Sequence, residues 1–138
     1  MVRYGAEEDF DFIYEIIKKN ISNLGYVMPP VIRERISSKM CVVFEDKGFC
    51  LFNVLKRTNQ ITVSEIAVDS DYRGQGIAQQ MLDFIREKHP ERFIKAKCVK
   101  GTTAETFWNH VADKVGEEEG RKRSLCVYIM EPKQQGFI

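Results

Sequence analysis

The sequence predicts an α/β (α+β) protein whose central mixed sheet is flanked by helices. Short β-rich runs alternate with amphipathic helical segments along the chain. Runs joined by a tight turn favour antiparallel pairing, whereas runs that flank a helix favour parallel pairing, so the predicted sheet is mixed. All 138 residues form one predicted domain, 1–138, because domains usually have about 100–200 residues.

The N-terminal part of the chain is predicted to be helical. Residues 7–24 carry apolar side chains at three- and four-residue steps, which predicts one helix or a broken pair. Acidic residues occupy the first turn, where the helix dipole favours negative charge. Pro29-Pro30 interrupts this pattern, and a short helix is predicted from Val31 to Ser38.

Three β-rich runs follow, over Met40–Phe44, Phe49–Leu55 and Ile61–Val68. Glu45–Gly48 is polar and ends in glycine, so the first two runs are predicted to form a hairpin. The third run ends in a polar segment that leads into the next helix.

A helix and a strand are predicted next. The helix covers Gly76–Lys88, because its apolar side chains share one face and Pro90 follows its end. The strand covers Phe93–Val99, where apolar and lysine residues alternate. A strand on each side of a helix predicts a parallel pair.

The last part of the chain is predicted to be a helix, a turn and a strand. Thr102 and Glu105 have the spacing of a capping box that would begin the helix. A charged turn over Gly116–Arg123 contains the acidic triplet Glu117–Glu119, which we expect to be solvated, with attraction of a cationic amine as the alternative. The final strand covers Leu125–Met130.

The composition is that of an ordinary folded domain. Hydrophobic residues make up 43% and charged residues 30%, which excludes a disordered chain and a simple coiled coil. The net charge is only +1, which argues against a protein that grips nucleic acid through its phosphates. No apolar run approaches the ~20 residues that cross a bilayer. We therefore expect neither a nucleic-acid partner nor a membrane.

The cysteines and histidines occur singly. None of Cys41, Cys50, Cys98 and Cys126 forms a C-x-x-C pair, so the sequence predicts no metal site. The first residues contain no apolar segment typical of a signal peptide. We therefore expect a cytoplasmic protein with reduced, buried cysteines.

A glycine-bearing loop connects the third β-rich run to the following helix. The first turn of a helix has unpaired N–H groups, and the helix dipole makes this end an anion site. Glycines let a phosphate approach the backbone closely, and an arginine adds positive charge. The loop lacks the Gly-Lys-Ser/Thr of a P-loop and the third glycine of a dinucleotide fingerprint. Its residues are Arg73, Gly74, Gln75, Gly76, Ile77 and Ala78.

This loop resembles the pyrophosphate loop of the GNAT (Gcn5-related N-acetyltransferase) superfamily, whose pattern is Arg/Gln-x-x-Gly-x-Gly/Ala. The resemblance extends over the element order of nearly the whole chain and implies the GNAT-like acyl-CoA N-acyltransferase fold. It implies that Arg73, Gly74, Gln75, Gly76, Ile77 and Ala78 bind the pyrophosphate of acetyl-CoA. It also implies that the preceding strand holds the pantetheine arm and polarises the thioester carbonyl, through Ile66, Ala67 and Val68.

Glu65 is the candidate general base that the resemblance implies. An amine at neutral pH is mostly ammonium and must lose a proton before it attacks a thioester. A carboxylate at the edge of a cleft could accept that proton. The alternative is a solvent-facing strand residue, because the sequence does not determine which face of the strand Glu65 occupies.

The family's later motif, Asn-x-x-Ala-x-x-Phe-Tyr, is only partly present. Ala104 and Phe107 match, but Gly101 replaces the asparagine and Trp108, which we expect in the core, replaces the tyrosine. That tyrosine often protonates the leaving thiolate, so Tyr128 or water would do so here. A dedicated acid is not obligatory, because a thiol with a pKa of about 8.5 leaves readily as thiolate.

The resemblance implies an enzyme that transfers an acetyl group from acetyl-CoA to an amine by direct attack in a ternary complex. The acceptor would be a small molecule or an exposed amino group. Two alternatives remain: a non-catalytic acyl-CoA binding module, and an interaction protein that keeps only the fold. Coenzyme A binding would distinguish the interaction protein from the enzyme and the binding module. Turnover of an amine would then distinguish the enzyme from the binding module. Pairing through Pro132–Ile138 would make the protein a homodimer.

Overall fold

The computed structural model describes residues 1–21, 26–120 and 123–132. The end of the first predicted helical segment, part of the predicted charged turn and most of the tail proposed for dimer pairing lie outside the described residues. Within them the sheet has seven strands: β1 (Val2–Tyr4), β2 (Cys41–Phe44), β3 (Gly48–Leu55), β4 (Gln60–Val68), β5 (Phe93–Val99), β6 (Asp113–Glu119) and β7 (Ser124–Met130). The α-helices there are α1 (Phe10–Lys19), α2 (Pro29–Ser37), α3 (Ile77–Lys88) and α4 (Thr103–Val111).

The strands lie in the order β1-β2-β3-β4-β5-β7-β6. Among the strands of the described residues, only the β4–β5 pair is parallel, because α3 carries the chain back between these two strands; the other pairs are antiparallel. The predicted mixed sheet flanked by helices is therefore confirmed. No helix in the described part of the chain is long and apolar enough to cross a bilayer.

Two apolar cores hold the helices on opposite faces of the sheet. On one face, α1 and α2 pack on β2 and β3 through residues such as Ile13, Ile32 and Leu51. On the other face, α3 and α4 pack over the strands through residues such as Met81 and Trp108. Burial of these side chains drives the layered packing, at roughly 1.5–3 kcal/mol for each large aliphatic side chain.

The structure adds two edge strands that the sequence patterns did not predict. β1 has three residues, too few to show an alternating pattern, and pairs with β2. The predicted charged turn is wrong over its first part, because Gly116–Glu119 belongs to β6. Every residue of β6 is exposed, so no apolar alternation reveals this strand, and its pairing with β7 decides its conformation.

The predicted capping box at α4 is also wrong. The hydroxyl of Thr102 donates to the carbonyl of Val99 at 2.7 Å, instead of accepting from the helix. The Glu105 carboxylate accepts from the Cys126 thiol at 2.9 Å, across the core. Tertiary contacts have therefore taken both side chains away from the helix end.

A β-bulge in β4 separates the two halves of the sheet. Leu51 of β3 faces Glu65, whereas the next residue, Phe52, faces Val63, so Ser64 is an extra residue. A bulge bends its strand. Pairing of β4 with β5 ends at Val63, opposite Ala96, and β5 continues against β7 alone. The sheet is therefore split beyond the bulge, where β4 and β5 no longer form hydrogen bonds with each other.

Candidate functional site

A cavity of about 590 Å³ opens at this split. This volume is within the usual range of small-molecule binding sites, about 300–1,000 Å³. Its walls are the end of β4, the glycine loop, the first turn of α3, one side of α4 and the end of α1. The lining residues are Asn20, Ile66, Ala67, Val68, Tyr72, Arg73, Gly74, Gly76, Ile77, Ala78, Gln79, Thr103, Ala104, Phe107, Trp108, His110 and Val111.

The glycine loop presents open backbone to this cavity. Gly74 and Gly76 have φ angles of 81° and 76°, in the left-handed region that favours glycine. Gly76 precedes α3, and no side chain in the described part of the chain caps the first turn of this helix. These amides can therefore donate to an anion.

The structure brings together the residues predicted to bind the cofactor, with one exception. Ile66, Ala67 and Val68 line the cavity, as do Arg73, Gly74, Gly76, Ile77 and Ala78. Gln75 does not line the cavity and is exposed, because the loop turns at the glycine on each side of it. The prediction that Gln75 binds the cofactor as part of this loop therefore stays a prediction, with its backbone amide as the group that could contribute.

Arg73 lies at the rim of the cavity and joins the loop to two other elements. Its Nε donates to the carbonyl of Val68, the last residue of β4, at 3.0 Å. Its Nη2 donates to the side-chain oxygen of Asn20, just after α1, at 3.2 Å. The guanidinium is exposed and carries a positive charge beside the loop amides.

Glu65 lies on the face of β4 away from α3 and α4. Its cross-strand partner is Leu51, which belongs to the core under α1 and α2, and directly opposed residues share a face. No described residue forms a hydrogen bond or an ion pair with its carboxyl group. Burial raises the pKa of Glu65 to about 8. A half-buried carboxyl group with this pKa can exchange a proton near neutral pH.

Tyr128 is not brought to the cavity. It is 1% exposed, lies in the core beneath α4, and its ring stacks on Trp108 with centroids 6.3 Å apart. Its hydroxyl donates to the side-chain oxygen of Asn109 at 2.6 Å. The interpretation of Tyr128 as the general acid is therefore not supported, because β7 directs its side chain into the core.

Tyr128→Phe is expected to leave kcat within about twofold of the wild type. It should lower the free energy of unfolding by about 1 kcal/mol, because one partly buried hydrogen bond is lost. Steady-state kinetics and urea denaturation measure the two effects. A large loss of kcat with unchanged stability would restore Tyr128 as a candidate acid.

The acidic triplet lies away from the cavity wall, and two of its three carboxylates are paired with lysines. Glu117 accepts from Lys100 and Lys114, and Glu118 accepts from Lys97 at 2.9 Å. These lysines lower the pKa of both carboxyl groups. The bonds to Lys97 and Lys100 connect β6 to the chain around β5. The position of the triplet does not favour the alternative of attracting an amine.

Several lining residues had no signal in the sequence. Asn20 is distant in sequence from the rest of the cavity and reaches it only through the packing of α1 on the sheet. Thr103 and His110 lie on the cavity side of α4, and neither matches the family's motif on this helix. Among the described residues, no group of three or more potential metal ligands occurs.

Comparison with known proteins identifies the family. The sequence profile of the acetyltransferase (GNAT) domain matches residues 37–119. No curated protein sequence is significantly similar to this chain.

Solved acetyltransferase structures share this fold. Ard1 from Thermoplasma volcanium has a TM-score of 0.77 at 12% identity, covering 94% of this chain and 95% of that one. The ribosomal-protein-S18-alanine N-acetyltransferase from Escherichia coli has a TM-score of 0.74 at 12% identity, covering 99% and 96%. An N-acetyltransferase from Staphylococcus aureus Mu50 has a TM-score of 0.75 at 21% identity, covering 95% and 97%. Since the profile spans more than half of the sequence, this chain belongs to the GNAT acetyltransferase family, whose members transfer an acyl group from an acyl-coenzyme A to an amine.

Proposed function

We propose that the protein transfers an acetyl group from acetyl-CoA to a primary amine by direct attack in a ternary complex, with Glu65 as general base. One observation carries this proposal. Glu65 has a pKa of about 8 and lies directly before Ile66, Ala67 and Val68, which line the cavity. The same strand therefore carries a proton acceptor and the residues that line the binding cavity.

The donor fits the cavity by its chemistry. Its pyrophosphate would accept hydrogen bonds from the amides at Gly74 and Gly76, with Arg73 contributing charge. Its thioester would lie along the end of β4. Beyond Val63, the backbone groups of β4 on the β5 side pair with none of the described strands, so an N–H group there is available to polarise the carbonyl.

The acceptor amine would approach from the opposite face. Glu65 shares the α1 and α2 face of β4, whereas α3 and α4 enclose the cavity from the other face. The ammonium group gives a proton to the Glu65 carboxylate, and the neutral amine attacks the thioester carbon. A C–N bond forms, the C–S bond breaks and the thiolate leaves, while the nitrogen of the new amide gives its second proton to water. Water supplies the proton to the thiolate, because the Tyr128 hydroxyl is buried elsewhere.

An amine-panel assay that follows free thiol release tests this function. The panel holds small primary amines, lysine and short peptides with a free α-amino group; the peptides are included because the E. coli neighbour is described as acting on a ribosomal-protein alanine. We expect thiol release above the hydrolysis background with at least one amine, and faster with acetyl-CoA than with longer acyl donors. Coenzyme A binding with no amine turnover would contradict the proposal and leave a binding module.

A further inference from the structure

We propose that Asn20 is a positioning residue for acyl-CoA, because it holds the Arg73 guanidinium beside the cavity. This inference rests on acyl-CoA binding at the glycine loop and is independent of the role of Glu65. Asn20 is the lining residue that α1 contributes at its C-terminal end, whereas the others belong to β4, the loop, α3 and α4.

The Asn20 side chain is itself fixed by the helix. Its Nδ2 donates to the carbonyl of Ile16 at 2.7 Å, which satisfies one of the carbonyls that a helix end leaves unpaired. Ile16 is 3% exposed and is anchored in the core under α1. Since the amide nitrogen is used in this bond, the amide oxygen faces Arg73 and accepts from it at 3.2 Å. A rigid helix therefore sets the position of this acceptor.

Arg73 is held at two points. Its Nε donates to the Val68 carbonyl, and its Nη2 donates to Asn20. The remaining N–H groups of the guanidinium have no partner among the described residues, so they stay available to a phosphate. A long exposed side chain loses rotamer freedom when it binds a ligand, and prior fixation removes most of this loss. Asn20 would thus raise the affinity for acyl-CoA without contacting the reacting atoms.

The test is a double-mutant cycle on Asn20→Ala and Arg73→Ala, with the Kd for coenzyme A measured by calorimetry. Asn20→Ala is expected to raise Kd by about three- to tenfold in the wild-type background, the effect of one ordinary hydrogen bond, because the bond to Arg73 is exposed to solvent. It should have no further effect in the Arg73→Ala background. With acetyl-CoA as varied substrate, KM should rise while kcat stays unchanged.

Two further variants separate positioning from folding. Ser37→Ala removes a comparable bond at the end of α2, where the hydroxyl donates to the Glu34 carbonyl at 3.1 Å, and should leave Kd unchanged. Arg73→Lys keeps the charge but lacks the planar fork, so it should lose affinity and become insensitive to Asn20→Ala. Thermal melts confirm that each variant is folded.

Equal Kd values for the wild type and Asn20→Ala would overturn this inference alone. So would an equal loss of affinity in both Arg73 backgrounds, since Asn20 would then act independently of Arg73. If the wild type itself does not bind coenzyme A, the proposed function fails together with the inference.

Discussion

Glu65→Gln is expected to lower kcat by about 10²–10⁴-fold near pH 8, the usual contribution of a general base. Glutamine keeps the shape of the side chain but cannot accept a proton. The Kd for coenzyme A should barely change, because the loop amides and Arg73 are untouched. Steady-state kinetics with a responsive amine measure this effect. Glu91→Gln, an exposed glutamate before β5, is the matched control and should keep full activity.

The pH profile gives this prediction a direction. Burial raises the pKa of Glu65 to about 8, so below that pH the carboxyl is protonated and cannot act as a base. The kcat of the wild type should therefore rise with pH and level off above about 8. The rise in kcat up to about pH 8 should be missing from Glu65→Gln. The difference in kcat between this variant and the wild type should shrink towards about pH 10, where an alkyl amine is increasingly neutral and needs no base.

Protein stability provides an independent check on the same residue. The ordinary pKa of Glu65 is 4.5, and the folded state raises it to about 8, so the folded protein holds this proton more tightly. Its stabilising contribution is complete below about pH 4.5 and is lost as the pH rises to about 8. The Tm of Glu65→Gln should therefore exceed that of the wild type at pH 9, and the difference should narrow at pH 5. Normal kcat with this Tm pattern would make Glu65 a buried acid without a catalytic role.

Gly76→Val is expected to abolish the thermal stabilisation that coenzyme A confers. A ligand at 100 times its Kd stabilises the native state by about 2.7 kcal/mol, which corresponds to a Tm increase on the order of 10 °C for a domain of this size. The added Cβ would meet no atom of the described residues within 4 Å, but a β-branched residue at a φ of 76° strains the backbone and moves the loop amides. It would also occupy space that the phosphate needs.

The control for this variant is Gly116→Val in β6. Its Cβ would also meet no atom within 4 Å, and strand geometry suits valine. Gly116→Val should keep the full ligand-induced shift in Tm, measured by differential scanning fluorimetry. A normal shift in Gly76→Val would mean that the pyrophosphate binds away from the first turn of α3.

Local patterns determined most of the fold. The strand Phe93–Val99 matches its predicted bounds, and the helix Ile77–Lys88 begins one residue after its prediction. Both follow from side-chain periodicity, which is a property of neighbouring residues. The glycine loop was predictable for the same reason, because Gly74 and Gly76 satisfy a backbone requirement within a few residues of chain. The edge strands were not predictable, because a strand such as β6 has no buried side and therefore no alternation of apolar and polar residues.

Only the tertiary structure decided how the site is assembled. A single extra residue, Ser64, reverses the alternation of β4, so Glu65 shares a face with α1 instead of with Val63. The contact between Asn20 and Arg73 depends on the packing of α1 against the sheet, over a separation of 53 residues. The sequence by itself determined which groups can bind phosphate or carry a proton. Their faces and partners depend on register and packing, which join residues that are far apart in the chain.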